Sequence, residues 1–511
     1  MAAFFCAVDV GTGSARAALF DADGRMAGRC EAALELHEAP GGIAEYASAR
    51  IWQAVAAAVS GLMAETGTPP AAVGGLAFGA TCSLVLSDRS GAPLLLDPGG
   101  RDIIAWCDRR ATEEAEICTA TRHRLIGLQG GRMSPEMQTA KLLWLKRQRP
   151  DLWDRLGRAE DLSDHLTRRA TGQAAVSTCA LAVKWPWIAG HGGWQEDFLA
   201  AIGLGGLPAR LGLPAAGLPA GSRAGGLSPA AASQLGLAAG TPVAAGMIDA
   251  FSGALGLRSL QPAGDQLALI AGTSICVMGL TRAPVDDPRL WGPFRDAVLA
   301  DHWICEGGLS AGGGLLDRVL ADHGAGQGHA EVMARAAALR RLHGPGFGAE
   351  LQVLPDFAGG RAPFPAAGRG GLRGGPVPEG DPDALCRIYW RAMVTLAFAV
   401  RHVADRMAAA GIGSGRIHAT GGLAAAGAFA QLVADATALP VLRARDSDAV
   451  LLGSAASAAA AASGGAGALP GVLVQMAPEA ETLQPDPGAA AALERDYLAF
   501  RRAFGPQQAP A

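Results

Sequence analysis

Apolar residues recur along the chain with two periods, and the switches between them outline its elements. Phe4-Phe5-Cys6-Ala7-Val8 is a short continuous apolar run, which predicts a buried strand ending at Asp9. A turn through Gly11 and Gly13 follows, then a second strand from Ala15 to Phe20, and the hairpin signal Asp21-Ala22-Asp23-Gly24 leads into a third. The period then becomes helical: Ile51, Trp52, Val55, Val59, Leu62 and Met63 fall on one face, with Ser48 as the expected cap. Leu76-Ala77-Phe78 predicts another short strand. Ser134-Pro135-Glu136 reads as a helix start, by N-cap and proline at the first position. Leu142, Leu143 and Leu145 supply that helix's apolar face, and Lys146 to Arg149 suit the negative end of its dipole. The Gly-, Pro- and Ala-rich stretch 202–227 reads as irregular surface.

The second half repeats the opening pattern. Pro242 to Gly246 predicts a strand leading to Asp249, with a helix through Leu255. Gln266 to Ile270, the turn Ala271-Gly272-Thr273-Ser274, and Ile275 to Met278 again read strand, turn, strand. Two such units half a chain apart predict two related lobes, 1–254 and 255–500. Hairpins joined to helices predict α/β layers. From Ala449 to Pro478 there is no charge, a length that in principle spans a bilayer. Its Ala, Ser and Gly content instead predicts a small-residue helix ending near Gly464, then a loop.

Composition narrows the function classes. Gly (71) and Pro (31) make up about a fifth of 511 residues, below the ~25–30% that marks disorder. Half the residues are hydrophobic and 18% are charged, a core-building balance. A net charge of −4 argues against a general nucleic-acid binder, which needs a basic face. The nine cysteines are scattered without a C-x-x-C pair, so neither a zinc ribbon nor a thioredoxin-type site is indicated. Such thiols fit a reducing, cytoplasmic setting, and the opening MAAFFCAVDVGTG lacks the features of a signal peptide.

Four short constellations could carry chemistry. In Asp9-Val10-Gly11-Thr12-Gly13-Ser14-Ala15-Arg16, a tight glycine turn lets backbone N–H groups approach an anion. Its two hydroxyls add donors, and a carboxylate at the strand end can hold Mg2+ through water. An ordinary glycine hairpin is the alternative. Ala271-Gly272-Thr273-Ser274 repeats the arrangement, and the two turns together could embrace one triphosphate, as phosphoryl transfer requires. Asp249 stands at a strand-to-helix junction, where it could act as a general base, cap the helix, or do both. Gly421-Gly422 permits close approach of a flat ring or a phosphate, or is only a strand-to-helix turn. No G-x-x-x-x-G-K-[ST] occurs, which excludes a Walker-type site.

In this order the four motifs resemble those of the FGGY carbohydrate kinases, over roughly residues 4 to 463. That family belongs to the actin/hexokinase/Hsp70-like ATPase group. The resemblance implies an α/β fold of two ribonuclease H-like duplicated lobes with a cleft between them. It implies ATP- and Mg2+-dependent transfer of a phosphoryl group to a sugar hydroxyl. Gly11, Thr12, Gly13, Ser14 and Arg16 match the first phosphate motif, and Asp9 the Mg2+ contact through water. Gly272, Thr273 and Ser274 match the second motif, Gly313 joins the ATP-contacting set, and Gly421 and Gly422 match the adenosine turn. Asp249 matches the catalytic base.

Local text is most similar to the D-ribulokinase-like pentulose kinase branch. The matching pieces are Ala80-Thr81-Cys82-Ser83-Leu84-Val85, Asp102 to Arg110, Gly130 to Met137, and Lys141 to Lys146. Ala80, Thr81, Cys82, Lys184 and Glu306 are thereby implied as ketose contacts, beside Asp249, with Trp185 or Trp106 covering an apolar face. The expected substrate is D-ribulose, with L-ribulose, xylulose or ribitol, or a non-catalytic sugar sensor, as alternatives. The expected partners are a small sugar and ATP, without nucleic acid or membrane, and a homodimer is left open. The chain departs from the family pattern at Gly79, where Asp is usual, at Ala424-Ala425-Ala426, at Gly360 and at Phe364-Pro365-Ala366-Ala367. Gly79 bears on sugar choice and the others on adenosine contacts.

Overall fold

The computed structural model describes residues 4–257, 265–324, 326–355, 362–364, 371–374, 383–413, 415–444, 448–477 and 479–504. The strands of the two main sheets are numbered in chain order. Phe4–Val10 (β1), Ser14–Asp21 (β2), Met26–Ala33 (β3), Val73–Ala80 (β4), Arg223–Gly226 (β5), Pro242–Ala244 (β6) and Met247–Ile248 (β7) form the first. Its order is β5-β6-β4-β1-β2-β3, with β7 pairing β4. Gln266–Ala271 (β8), Ile275–Thr281 (β9), Trp291–Arg295 (β10), Trp303–Leu309 (β11), Arg416–Thr420 (β12), Val441–Ala444 (β13) and Ala480–Leu483 (β14) form the second, ordered β10-β11-β9-β8-β12-β13-β14.

The sheets share one topology. In the first, β1, β2 and β3 form an antiparallel meander, and β4 then β6 add in parallel on the β1 side. In the second, β8, β9 and β11 form the meander, and β12 then β13 add in parallel beside β8. The lobes are therefore two copies of one architecture, as the repeated pattern implies.

The helices relevant to the site are Ser48–Thr66 (α1), Gln138–Gln148 (α2), Thr178–Lys184 (α3), Asp249–Gly256 (α4), Gly313–His323 (α5), Ala384–Ala409 (α6) and Ala449–Ser463 (α7). All six apolar residues expected on one face of α1 are buried, and the helix ends on Gly67 in the left-handed region, φ 62°. The charge-free helix is α7, and every residue except Val450, Ala462 and Ser463 is buried. It is apolar all round because protein covers all its faces. It packs on β4, β1 and β6 of the first sheet and crosses α4. No helix among the described residues is long and apolar enough to cross a membrane.

Small residues make that crossing possible. A Cβ on Gly453 would lie 1.9 Å from the Ser252 carbonyl oxygen, and one on Gly256 would lie 2.0 Å from that of Ala449. The helices meet backbone to backbone. Ser252 and Ser454 hydroxyls, 3.0 Å apart, pair inside the seam.

Four local expectations are corrected. Ser48 does not cap α1: Ala47 holds that position, and the Ser48 backbone N–H and hydroxyl both donate to Asp102, at 2.7 and 2.6 Å. Ser134 to Glu136 form a turn, with Ser134 O accepting from Met137 N at 3.1 Å, and α2 begins at Gln138. The 202–227 stretch is not merely surface, since it contains helix Leu207–Leu211 and strand β5. Leu204, Leu207 and Leu211, spaced as one helical face, are buried there among the glycines. Beyond Gly464 the chain forms a further helix, Leu469–Gln475, rather than only a loop.

Strand Leu156–Asp161 carries a buried ion-pair cluster. Burial opposes ionisation of Glu160, but hydrogen bonds from His165 and Arg168 hold its carboxyl down to about 2, against an ordinary 4.5. Its folded-state value is depressed, so the stabilisation is present above pH 4.5 and is lost as pH falls toward 2. Glu160→Gln should therefore cost up to roughly 3 kcal/mol at pH 7, and the difference from wild type should close between pH 4.5 and 2. Urea unfolding across that range measures it. A gap that stays constant with pH would remove the carboxylate from the account.

Candidate active site

The strand ends of the two meanders face one cleft. At the first, Gly11 N donates to Ser14 O at 3.0 Å, closing the turn between β1 and β2. At the second, Gly272 N donates to Ser274 O at 2.9 Å between β8 and β9. Gly313, at the start of α5, fastens that turn by donating from its N to Gly272 O at 2.8 Å. Gly421 follows β12 with φ 98°, and a Cβ there would lie 2.4 Å from Ala271 O. Only glycine lets this turn sit against the second hairpin.

The cleft encloses about 920 Å3. Of the residues singled out from sequence, Gly11, Thr12, Arg16, Thr81, Cys82, Lys184, Asp249, Gly272, Thr273, Ser274, Glu306, Gly421 and Gly422 line it. Asp9, Gly13, Ser14, Ala80 and Gly313 stand outside the lining. The Ser14 hydroxyl instead hydrogen-bonds Glu31 and lowers that carboxyl's pKa.

Asp9 lies fully buried beneath the first hairpin. Strand register sets it opposite Arg16, whose guanidinium binds Asp9 Oδ2 and reaches Asp448 Oδ2 at 3.1 Å. Burial pushes the Asp9 carboxyl up to about 7; Arg16 opposes the rise, while Asp249 and Asp448 add to it. Asp9 Oδ1 has no hydrogen-bond partner among the described residues. An unpaired hard oxygen in a carboxylate-rich corner fits a hydrated Mg2+, whose charge would restore its ionisation. Asp249 is the first residue of α4, and its Oδ1 accepts from Ala250 N at 2.7 Å. Ile248, not Asp249, is the cap.

The cleft also gathers further polar groups. Lys184 closes α3, buried, with its ammonium 5.3 Å from the Trp291 ring centroid. Trp291 pairs across strands with Glu306 on β11, also buried. Thr81 and Cys82 follow β4, where Thr81 N donates to Val10 O at 2.9 Å. Of the two candidate tryptophans, Trp106 lines the cleft, whereas Trp185 packs edge-on against Trp194, 6.0 Å between centroids.

Gly79 pairs with Asp9 and Met247 in the sheet, outside the cleft lining. Its missing side chain would point at Ser454 and Ser252 in the α4–α7 seam, so the departure bears on helix packing rather than on the sugar wall. Gly360 and Pro365–Ala367 lie outside the described residues. Sequence reading missed Met26, Arg29, Trp291, Arg443, Asp448 and Glu481. Asp448 carried a signal, a capping residue before the Ala-rich helix, and its Oδ1 accepts from Val450 N and Leu451 N. Arg443 donates to Ala425 O at 2.6 Å and pairs with Glu481 at 2.7 Å, contacts that only folding creates.

Duplicated sheets, each turning a glycine hairpin toward a shared cleft, define the actin/hexokinase/Hsp70-like class of ATPase folds. Models of the N-terminal and C-terminal domains of the FGGY family of carbohydrate kinases match residues 4–256 and 267–462. The chain belongs to that family of sugar kinases. It is 34% identical to an FGGY carbohydrate kinase domain-containing protein of Danio rerio, over 99% of this chain and 98% of the relative. A D-ribulokinase of Saccharomyces cerevisiae is 30% identical, over 89% and 72%. A ligand-bound xylulose kinase from Lactobacillus acidophilus has the same fold, with TM-score 0.80, 19% identity and 98% of each chain covered.

Proposed function

We propose that this sugar kinase transfers the γ-phosphoryl group of ATP to the terminal hydroxyl of a ketopentose, with D-ribulose as substrate and D-ribulose 5-phosphate as product. The observation that carries the reading is the convergence on one cleft of both hairpins, Asp249, Lys184 and Glu306. The local pentulose-kinase text, and the D-ribulokinase among the relatives, support the choice of sugar. The reading includes the division into lobes 1–254 and 255–500.

In this mechanism the phosphates lie between the two hairpins. Thr12, Thr273 and Ser274 donate to them, Gly11 and Gly272 let the backbone come close because they carry no Cβ, and Gly421-Gly422 accommodates the adenosine. Gly13, Ser14 and Gly313 keep the turns in shape. Arg16 supplies positive charge between Asp9 and the phosphates. Bound Mg2+ neutralises phosphate charge, and Asp9 is the residue to hold it through water. Lys184 and Glu306 hydrogen-bond the ketose hydroxyls, Thr81, Cys82 and the neighbouring Ala80 shape its wall, and Trp106 covers its apolar face. Asp249 accepts the proton of the attacking hydroxyl. Closing of the lobes excludes water, which would otherwise take the phosphoryl group.

ADP release from MgATP across a panel of ketopentoses and pentitols tests this. D-Ribulose should give the highest kcat/KM. A higher value with L-ribulose, xylulose or ribitol would move the assignment to that substrate. Release that no polyol accelerates would overturn the kinase reading for this chain.

A further inference from the structure

The hydroxyl of Thr12 is held from behind. The Trp106 indole nitrogen lies 3.0 Å from Thr12 Oγ1, and the Tyr46 hydroxyl donates to Thr12 O at 2.6 Å. An indole N–H can only donate, so Thr12 Oγ1 must be the acceptor. Its own proton is then directed elsewhere, and no described residue accepts it. Thr12 lines the cleft, so that proton faces the space between the hairpins.

Trp106 is itself rigidly mounted. Its backbone N–H donates to Ser83 Oγ at 3.1 Å, and Ser83 Oγ lies 3.1 Å from Thr81 Oγ1 on the sugar wall. The preceding residue, Ala105, accepts from the fully buried Lys141 ammonium at 2.9 Å and donates to Ala44 O at 2.9 Å. Desolvation lowers the Lys141 pKa, the cost of spending a buried lysine on one backbone oxygen. The result is a continuous bonded path: Thr81, Ser83, Trp106, Thr12. It runs from the sugar wall to the phosphate hairpin.

We infer that Trp106 is a positioning residue that aims the Thr12 hydroxyl at a nucleotide phosphate oxygen and ties that aim to the sugar wall. The inference rests on the kinase reading and deepens it. Without the indole N–H, the Thr12 side chain can rotate or spend its proton within the protein. A phosphate would then meet a donor that must be reoriented, which weakens transition-state stabilisation.

The test is a double-mutant cycle on Trp106→Phe and Thr12→Val, read as kcat/KM for ATP at saturating sugar. Each single variant should lose about tenfold. The double variant should fall within about twofold of Thr12→Val alone, because the indole N–H has no partner to aim once the hydroxyl is gone, while phenylalanine keeps a ring over the saturating sugar. Thr12→Ser, which keeps the hydroxyl, should restore sensitivity to Trp106→Phe. Losses that simply multiply, to about a hundredfold, would overturn the inference.

A second measurement covers poor folding of a variant and separates this inference from the kinase reading. The Trp106 indole N–H resonance, assigned by its loss in Trp106→Phe, should shift in Thr12→Val, and should respond to MgATP in wild type but not in Thr12→Val. An indole resonance unchanged by Thr12→Val would sink the inference whichever sugar is used. Absence of any sugar-stimulated ADP release would instead count against the kinase reading, leaving the indole response to decide the positioning role.

Discussion

Asp249→Asn should cut turnover by about 10²–10⁴-fold while leaving MgADP affinity within about twofold of wild type. The carboxylate begins α4 and accepts from Ala250 N at 2.7 Å. Asparagine retains a carbonyl oxygen for that bond, so the helix start survives. What is lost is the ability to take a proton from the attacking hydroxyl, since an amide is not a base near neutral pH. In the proposed mechanism the nucleotide phosphates meet the glycine hairpins rather than Asp249, which is why binding should persist. Single-turnover phosphoryl transfer and MgADP titration give the two numbers separately. Near-wild-type turnover would restrict Asp249 to its place at the helix start.

Gly453→Ala should destabilise the protein by roughly 1–3 kcal/mol and reduce activity with it. The added Cβ would lie 1.9 Å from Ser252 O, so α4 and α7 could not keep their backbone contact. The consequence reaches the cleft because α4 begins at Asp249 and α7 is capped by Asp448, the partner of Arg16. Gly471→Ala is the matched control: it lies in helix Leu469–Gln475 with open space around its Cβ position, and should be neutral or gain up to ~1 kcal/mol. Thermal unfolding and kcat on both variants check the contrast. Equal stability of Gly453→Ala and wild type would mean the seam tolerates a methyl.

The elements legible in the sequence were those with strong local periodicity or obligatory turn chemistry. The α1 face and the Asp21–Gly24 turn have physical causes contained in a few neighbouring residues. The two Gly-Thr hairpins and the Gly421 turn were legible for the same reason. Where a distant group competed, local reading failed. Asp102, far along the chain, takes the Ser48 donors, and the leucine face at 204–211 was hidden by its glycine- and proline-rich surroundings.

For the site the same division holds. The hairpin residues and Asp249 are marked by local motif, and Lys184 and Glu306 by resemblance. Trp291, which brings those two together, carries no local mark, because a cation over a ring and a cross-strand pairing exist only after folding. The Arg443–Glu481 pair is equally silent. Sequence alone thus determined the duplicated α/β class, the two glycine turns and the family, because backbone conformation at a glycine turn is a local property. Tertiary structure decided which hydroxyls face the cleft, with Thr12 in and Ser14 out, that Arg16 joins Asp9 to Asp448, and that Gly79 belongs to a helix seam. Those are properties of side-chain direction, and of proximity between segments as far apart as Arg16 and Asp448, and they arise only when the chain is folded.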